Sequence, residues 1–195
     1  MSGRWRRMLL VAGALALGAS RAEAQYADSE TGGVKFLVGG GLTLALGDFG
    51  DSFNNGPQGL VGVAFQPAGF PIGIRIDGMY HRISGDEDVL LADDVNMQII
   101  NGTVDAVYSL TSSTDTPIRP YILAGGGIYN VKPVGDDVLE GTDGDTKFGI
   151  NAGAGFDYRA SDNLGIFLES RFHLIFTDPD NINMLPISVG VRIGH

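Results

Sequence analysis

The sequence predicts an all-β fold, an eight-stranded antiparallel up-and-down transmembrane β-barrel. Three observations carry that expectation. Eight segments alternate apolar with polar or small residues, the period of two that a strand needs when only one face meets an apolar medium. The connections between them alternate between short turns and longer, acidic loops. The chain opens on an export-type leader and closes on an amphipathic strand, in which Leu185, Ile187, Val189, Val191 and Ile193 alternate with Pro186, Ser188, Gly190, Arg192 and Gly194.

The leader comes first. Arg4, Arg6 and Arg7 make a basic start, and Met8 to Ala19 an apolar core too short to span a bilayer. Ala22-Glu23-Ala24 supplies a small-x-small cleavage site. Residues 1–24 are therefore expected to be a signal peptide for the general secretory route, and 25–195 the barrel domain. Removing the leader's four arginines and one glutamate moves the formal charge from −10 to −13, which argues against nucleic acid as a partner. The sequence has no cysteine, so disulfides, thiolate metal sites and lipoprotein anchoring are excluded. After the leader no apolar run is long enough for a transmembrane helix.

Candidate strands lie near 34–46, 58–66, 72–83, 96–110, 118–131, 146–159, 164–176 and 185–194. Most reach the roughly 9–11 residues that a tilted strand needs to cross a bilayer. Connections 66–71, 111–117 and 160–163 are short and rich in turn-forming residues. Connections 47–57, 84–95, 132–145 and 177–184 are mostly longer and much more acidic. Bacterial barrels pair short periplasmic turns with longer external loops, so both termini are expected in the periplasm.

Each strand has two unlike faces. In the third, Ile72, Ile74, Ile76, Gly78 and Tyr80 oppose Gly73, Arg75, Asp77, Met79 and His81; in the seventh, Ile166, Leu168, Ser170, Phe172, Leu174 and Phe176 oppose Phe167, Glu169, Arg171, His173 and Ile175. Alternation alone does not say which face is inside. Running the strands alternately up and down gathers Phe36, Phe65, Tyr108, Tyr121, Phe156 and Tyr158 near one end. It gathers Tyr80, Tyr129, Phe148, Phe172 and Phe176 near the other. Two aromatic girdles on the apolar face suit the two interfaces of a membrane. The expected location is therefore the cell outer membrane, with outer-membrane lipid around the barrel.

Arg119-Pro120-Tyr121-Ile122-Leu123-Ala124 with the glycines to Gly127 and Ile128-Tyr129, the run Leu168 to His173, and the terminal Val189 to Ile193 resemble the small outer-membrane β-barrel family, which includes the OmpA-like transmembrane domain. The likeness spans essentially the whole mature chain, through diffuse patterns and no catalytic signature. It implies a barrel handled by the barrel-assembly machinery through its C-terminal strand. That family's sorting signal usually ends on Phe or another aromatic, whereas this chain ends on His195. No peptidoglycan-binding domain is expected after the eighth strand.

Three sets of residues are candidates for function. Arg75, Asp77, Asp105, Asp157, Glu169, Arg171 and Arg192 are expected to face the lumen, together with Lys35, Lys147 and Arg159. Charges in so narrow a space must be paired, because unpaired burial costs several kcal/mol or more. The pairs would form either a plug or, if they exchange partners, a narrow gated pore. The external loops hold fourteen carboxylates, among them Asp48, Asp51, Asp86, Glu87, Asp88, Asp93, Asp94, Asp136, Asp137, Glu140, Asp143, Asp145, Asp178 and Asp180. They would bind divalent cations, serve a surface ligand, or act as a solvated, self-repelling face; their spacing matches no EF-hand, so no metal site is assigned. His81, Ser84 and Asp86 are the sole catalytic trio, as a lipid A-modifying barrel enzyme would need, though regular pleating puts His81 and Ser84 on opposite faces. No cofactor and no catalysis are expected. The alternative fold is a soluble, lipocalin-like periplasmic barrel with inverted faces and an apolar ligand inside.

Overall fold

The computed structural model describes residues 33–67, 70, 72–85, 96–111, 116–135 and 143–194. The leader, most of the second and third external loops and His195 lie outside the described residues. Eight strands form a closed, all-antiparallel barrel in sequence order: β1 (Gly33–Leu46), β2 (Gly56–Gln66), β3 (Ile72–Ser84), β4 (Asn96–Ser109), β5 (Ile118–Val134), β6 (Asp145–Arg159), β7 (Leu164–Ile175) and β8 (Ile182–Gly194). Closure runs from β1 to β8, with Lys35 opposite Gly194 and Leu46 opposite Asn183, so no strand edge is left unpaired.

The expected strands all form, with ends displaced by one to three residues. β8 begins at Ile182, earlier than its alternation suggests, because Ile182, Asn183 and Met184 pair with Ile175, Leu174 and His173 and Met184 is fully buried. β5 continues to Val134 because Lys132, Pro133 and Val134 pair with Gln98, Met97 and Asn96. Between β1 and β2, a short 3-10 turn (Gly47–Phe49) folds Phe49 over the external mouth of the lumen. Gly47 has φ 63°, a left-handed conformation that glycine adopts without a Cβ penalty.

The faces are inside-out relative to a water-soluble protein. Among the described residues thirty large apolar side chains are exposed and thirteen are buried, while Arg75, Asp77, Asp105, Glu169 and Arg171 are all buried. The exposed set includes Ile72, Ile74 and Ile76 on β3 and Ile166, Leu168 and Phe172 on β7, the face expected to meet lipid. An apolar belt of this extent needs an apolar solvent. The soluble lipocalin-like alternative is thereby overturned, since it requires the charges outside and the apolar residues within. The girdles keep Phe36, Phe65, Phe156 and Tyr158 at one end and Tyr80, Phe148, Phe172 and Phe176 at the other, all exposed. Two aromatics leave them. Tyr121 and Tyr129 occupy the inward parity of β5, at 8% and 0% exposure.

Candidate functional site in the barrel lumen

The lumen is built in layers. At the external end Phe49, Ile83, Ile99, Tyr129, Val131, Ile175 and Met184 form an apolar cluster. Beneath it lies a layer of neutral polar groups. His81 Nδ1 is 2.7 Å from Thr43 Oγ1 and its Nε2 is 3.0 Å from Asn101 Oδ1. The Tyr129 hydroxyl lies 2.9 Å from His173 Nδ1, and Gln58 Nε2 donates to Ser188 Oγ at 2.7 Å. Further toward the periplasm, Leu37, Leu60, Met79 and Phe167 form a second apolar cluster on one side of the lumen.

Charged residues fill the rest of that level. Arg75 Nε donates to Asp77 Oδ1 at 2.8 Å and Arg75 Nη1 to Glu169 Oε2 at 2.8 Å. Arg171 touches three carboxylates: Nη2 to Asp77 Oδ2 at 2.6 Å, Nη1 to Asp105 Oδ2 at 3.1 Å, and Nε to Glu169 Oε1. Neutral donors complete the set. The Tyr121 hydroxyl donates to Glu169 Oε2 at 2.7 Å, Asn151 Nδ2 to Asp105 Oδ1 at 2.7 Å, and Thr103 Oγ1 to Asp105 Oδ2 at 3.0 Å. The Arg75 guanidinium also lies 5.8 Å from the Phe167 ring centroid, within cation–π range. Side chains from β3, β4, β5, β6 and β7 thus meet across the lumen. Buried carboxylates are tolerated when geometry is good and their remaining lone pairs are filled, and both conditions hold here.

Glycine makes the room. A Cβ on Gly125 would collide with the Asp105 carboxylate and the Val104 carbonyl, and one on Gly62 with the Asp77 carboxylate. Gly153 is likewise crowded by Arg171, and Gly155 by the Tyr121 ring. These inward positions have no side chain of their own because their neighbours' long side chains occupy that volume.

Of the lumen residues read from the sequence, five come together: Arg75, Asp77, Asp105, Glu169 and Arg171. Two do not join them. Arg192 and Asp157 pair separately at the periplasmic mouth, with Nε to Oδ2 at 2.6 Å. Lys147 pairs with Asp145 at 3.1 Å on the external rim. Sequence reasoning missed Tyr121, Thr103 and Asn151 as partners of the network and Arg119 at the mouth. His81 is fully buried in the lumen whereas Ser84 is exposed on the opposite face, so the catalytic trio is not assembled; Asp86 lies outside the described residues. Of the loop carboxylates, only Asp48, Asp51, Asp143, Asp145, Asp178 and Asp180 are described. No group of three or more metal-ligating side chains occurs among the described residues.

Tyr121→Phe tests the neutral part of the network. Glu169 keeps both guanidiniums but loses its hydroxyl donor, and a hydrogen bond to a charged group contributes about 1.5–3 kcal/mol. The variant should unfold at a lower urea concentration in detergent micelles, its unfolding free energy reduced by that amount; an unchanged midpoint would show that the hydroxyl contributes nothing.

An apolar belt around a closed, polar-filled barrel defines an integral outer-membrane β-barrel protein. The chain belongs to the outer membrane protein beta-barrel domain family, whose model matches residues 10–192. It is 35% identical over 102 residues to outer membrane protein Omp38 of Acinetobacter baumannii, a match covering 50% of this chain and 28% of that protein. Among solved structures, Neisserial surface protein A superposes with TM-score 0.64 at 16% identity, over 84% of this chain and 99% of that one. Ail, the attachment invasion locus protein of Yersinia pestis, gives 0.53 at 13% identity, over 83% and 99%. OprG of Pseudomonas aeruginosa gives 0.51 at 12%, over 83% and 95%. At such identities the structural likeness speaks for the fold alone.

Proposed function

We propose that this protein is a non-conducting envelope barrel whose lumen is plugged by the Arg75–Asp77–Asp105–Glu169–Arg171 network, and that its interactions take place at its external loops. The observation that carries the reading is the double bridge made by Arg171 and Arg75, which ties β3 to β7 across the lumen with 1% and 3% exposure of the two side chains. Eight strands enclose a space that side chains about fill, and the apolar cluster around Phe49 covers the external side. Ions would have to break buried pairs at one level and displace packed hydrocarbon at another. No reaction is proposed.

The loops suggest the sign of a surface partner. Ail has been solved in complex with the heparin analogue sucrose octasulfate. A polyanion of that kind would be repelled by the fourteen loop carboxylates of this chain, so the partner proposed is a basic surface, bound more weakly as salt rises. Cleavage after Ala24, and recognition of the β8 alternation by the assembly machinery, belong to the same reading.

Two experiments test it. Purified protein in planar bilayers should give no long-lived stepwise conductance; steady open steps would contradict the plug and favour the gated pore. Cells displaying the protein should retain a polylysine probe in a salt-sensitive manner, and lose that retention when Asp136, Asp137, Glu140, Asp143 and Asp145 are neutralised together. Equal retention by both would remove the loops from the proposal.

A further inference from the structure

The periplasmic mouth holds cations that the central network does not use. Lys35 on β1, Arg119 on β5 and Arg192 on β8 converge on a cavity of about 100 Å³ that reaches inward to Arg75 and Tyr121. Asp157 is the one carboxylate on its wall, and Arg192 takes it, with Nε–Oδ2 at 2.6 Å and Nη2–Oδ1 at 2.8 Å. Among the described residues neither Lys35 nor Arg119 has a carboxylate within ion-pair distance. Arg119 Nε is shielded from water and has no hydrogen-bond partner. Three cations against one carboxylate leave two uncompensated positive charges around one cavity.

Like charges held close together at a half-buried mouth repel, and a shielded donor atom without an acceptor carries a desolvation cost. Both penalties fall when an oxyanion enters. A guanidinium fork matches the geometry of phosphate oxygens, and a lysine adds a point charge. The excess of two positive charges matches a phosphate dianion better than a single carboxylate. The volume is sufficient as well: a single water needs only about 10–15 Å³ of such space, so a cavity of about 100 Å³ admits a phosphate group.

We propose that Lys35, Arg119 and Arg192 form a phosphate-binding pocket open to the periplasmic side of the barrel. Its inner wall borders the mid-lumen network at Arg75 and Tyr121, but its three cations take no part in that network, and it does not depend on the loops having a partner. The phosphate has two sources in that setting, a soluble phosphorylated solute or the headgroup of an anionic phospholipid in the inner leaflet.

The test is titration calorimetry with inorganic phosphate on full-length protein in a maltoside detergent at low ionic strength. The wild type should show saturable binding. Lys35→Met and Arg119→Met should each weaken it at least tenfold. Arg82→Met, at the exposed external end of β3, should leave it unchanged. Retained heat-dependent gel mobility shows that each variant is folded, and Lys35→Met serves if Arg119→Met does not assemble. Repeating the titration in nanodiscs separates the sources. Phosphate binding suppressed by phosphatidylglycerol but not by phosphatidylcholine identifies a lipid headgroup as the natural occupant, and equal binding in both identifies a soluble solute; either retains the pocket. Absence of saturable binding by the wild type in maltoside, or undiminished binding by both methionine variants, overturns the proposal.

Discussion

Arg171→Met is expected to destabilise the barrel by about 3–5 kcal/mol, the cost typical of removing one partner from a buried ion pair. The reason lies in how many groups depend on one side chain. Arg171 touches Asp77, Asp105 and Glu169, whereas Arg75 touches only Asp77 and Glu169. Without Arg171, three buried carboxylates face one guanidinium, and Asp105 has no cationic partner left. Arg75→Met should therefore cost less, since Arg171 still reaches every carboxylate. Adding Asp105→Asn to Arg171→Met should recover part of the loss, with a coupling of about 0.5–3 kcal/mol, because one of the excess charges is gone. Urea unfolding of refolded protein in liposomes reads these three variants and the Asp105→Asn single that the coupling requires. If Arg171→Met unfolds at the wild-type urea concentration, the network contributes little to holding the barrel together.

The second large effect lies on the opposite face. Val104 is 56% exposed near the middle of β4, facing outward opposite Ile76 and Gly126. Val104→Arg is expected to cost about 2–4 kcal/mol in a bilayer, the penalty for a cation on the lipid face near the midplane. On a water-exposed surface the same change would stay within about 0.5 kcal/mol. The size of the effect thus distinguishes lipid from water as the surroundings of this face. Asp48→Arg, in the first external loop, serves as the control, and its unfolding free energy should differ little from the wild type.

Much of this architecture is legible in the sequence because the two media differ so sharply. On β3 and β7 large apolar residues stand on one parity and Arg75, Asp77, Glu169 and Arg171 on the other, so the period of two survives without ambiguity. On β5 it does not. Gly125, Gly126 and Gly127 interrupt the alternation, and with aromatics at both ends the parity is easy to misassign. Tyr121 and Tyr129 therefore read as interface aromatics, although they share the inward parity of Arg119. The partners of the charges were hidden for a different reason. Thr103 and Asn151 are ordinary strand residues in the sequence; only the register, which sets Arg75 opposite Asp105 and Asn151 opposite Gly125 and His173, brings them to the network. Register also explains why Asp157 and Arg192 stand apart. Asp157 pairs with Phe167 and Arg119, near the periplasmic ends of their strands and away from Arg171. The outer layer of His81, Thr43 and Asn101 had no signal beyond parity, since a lone histidine on a strand says nothing of what lies across the lumen.

The central claim is that one face of each strand meets lipid while the other meets a closed, packed lumen. The absence of native cysteine makes it directly testable by a cysteine scan along β4. Single cysteines at Ile100, Gly102 and Val104 would report the outer face, and at Asn101 and Thr103 the inner one. Each variant in liposomes is treated with a membrane-partitioning maleimide and, separately, with a small charged thiol reagent. Cysteines at 100, 102 and 104 should react with the first reagent alone, and those at 101 and 103 with neither. Fast reaction of the 101 and 103 variants with the charged reagent would mean a water-filled lumen and would contradict the plug; the same reaction at 100, 102 and 104 would contradict the membrane face itself.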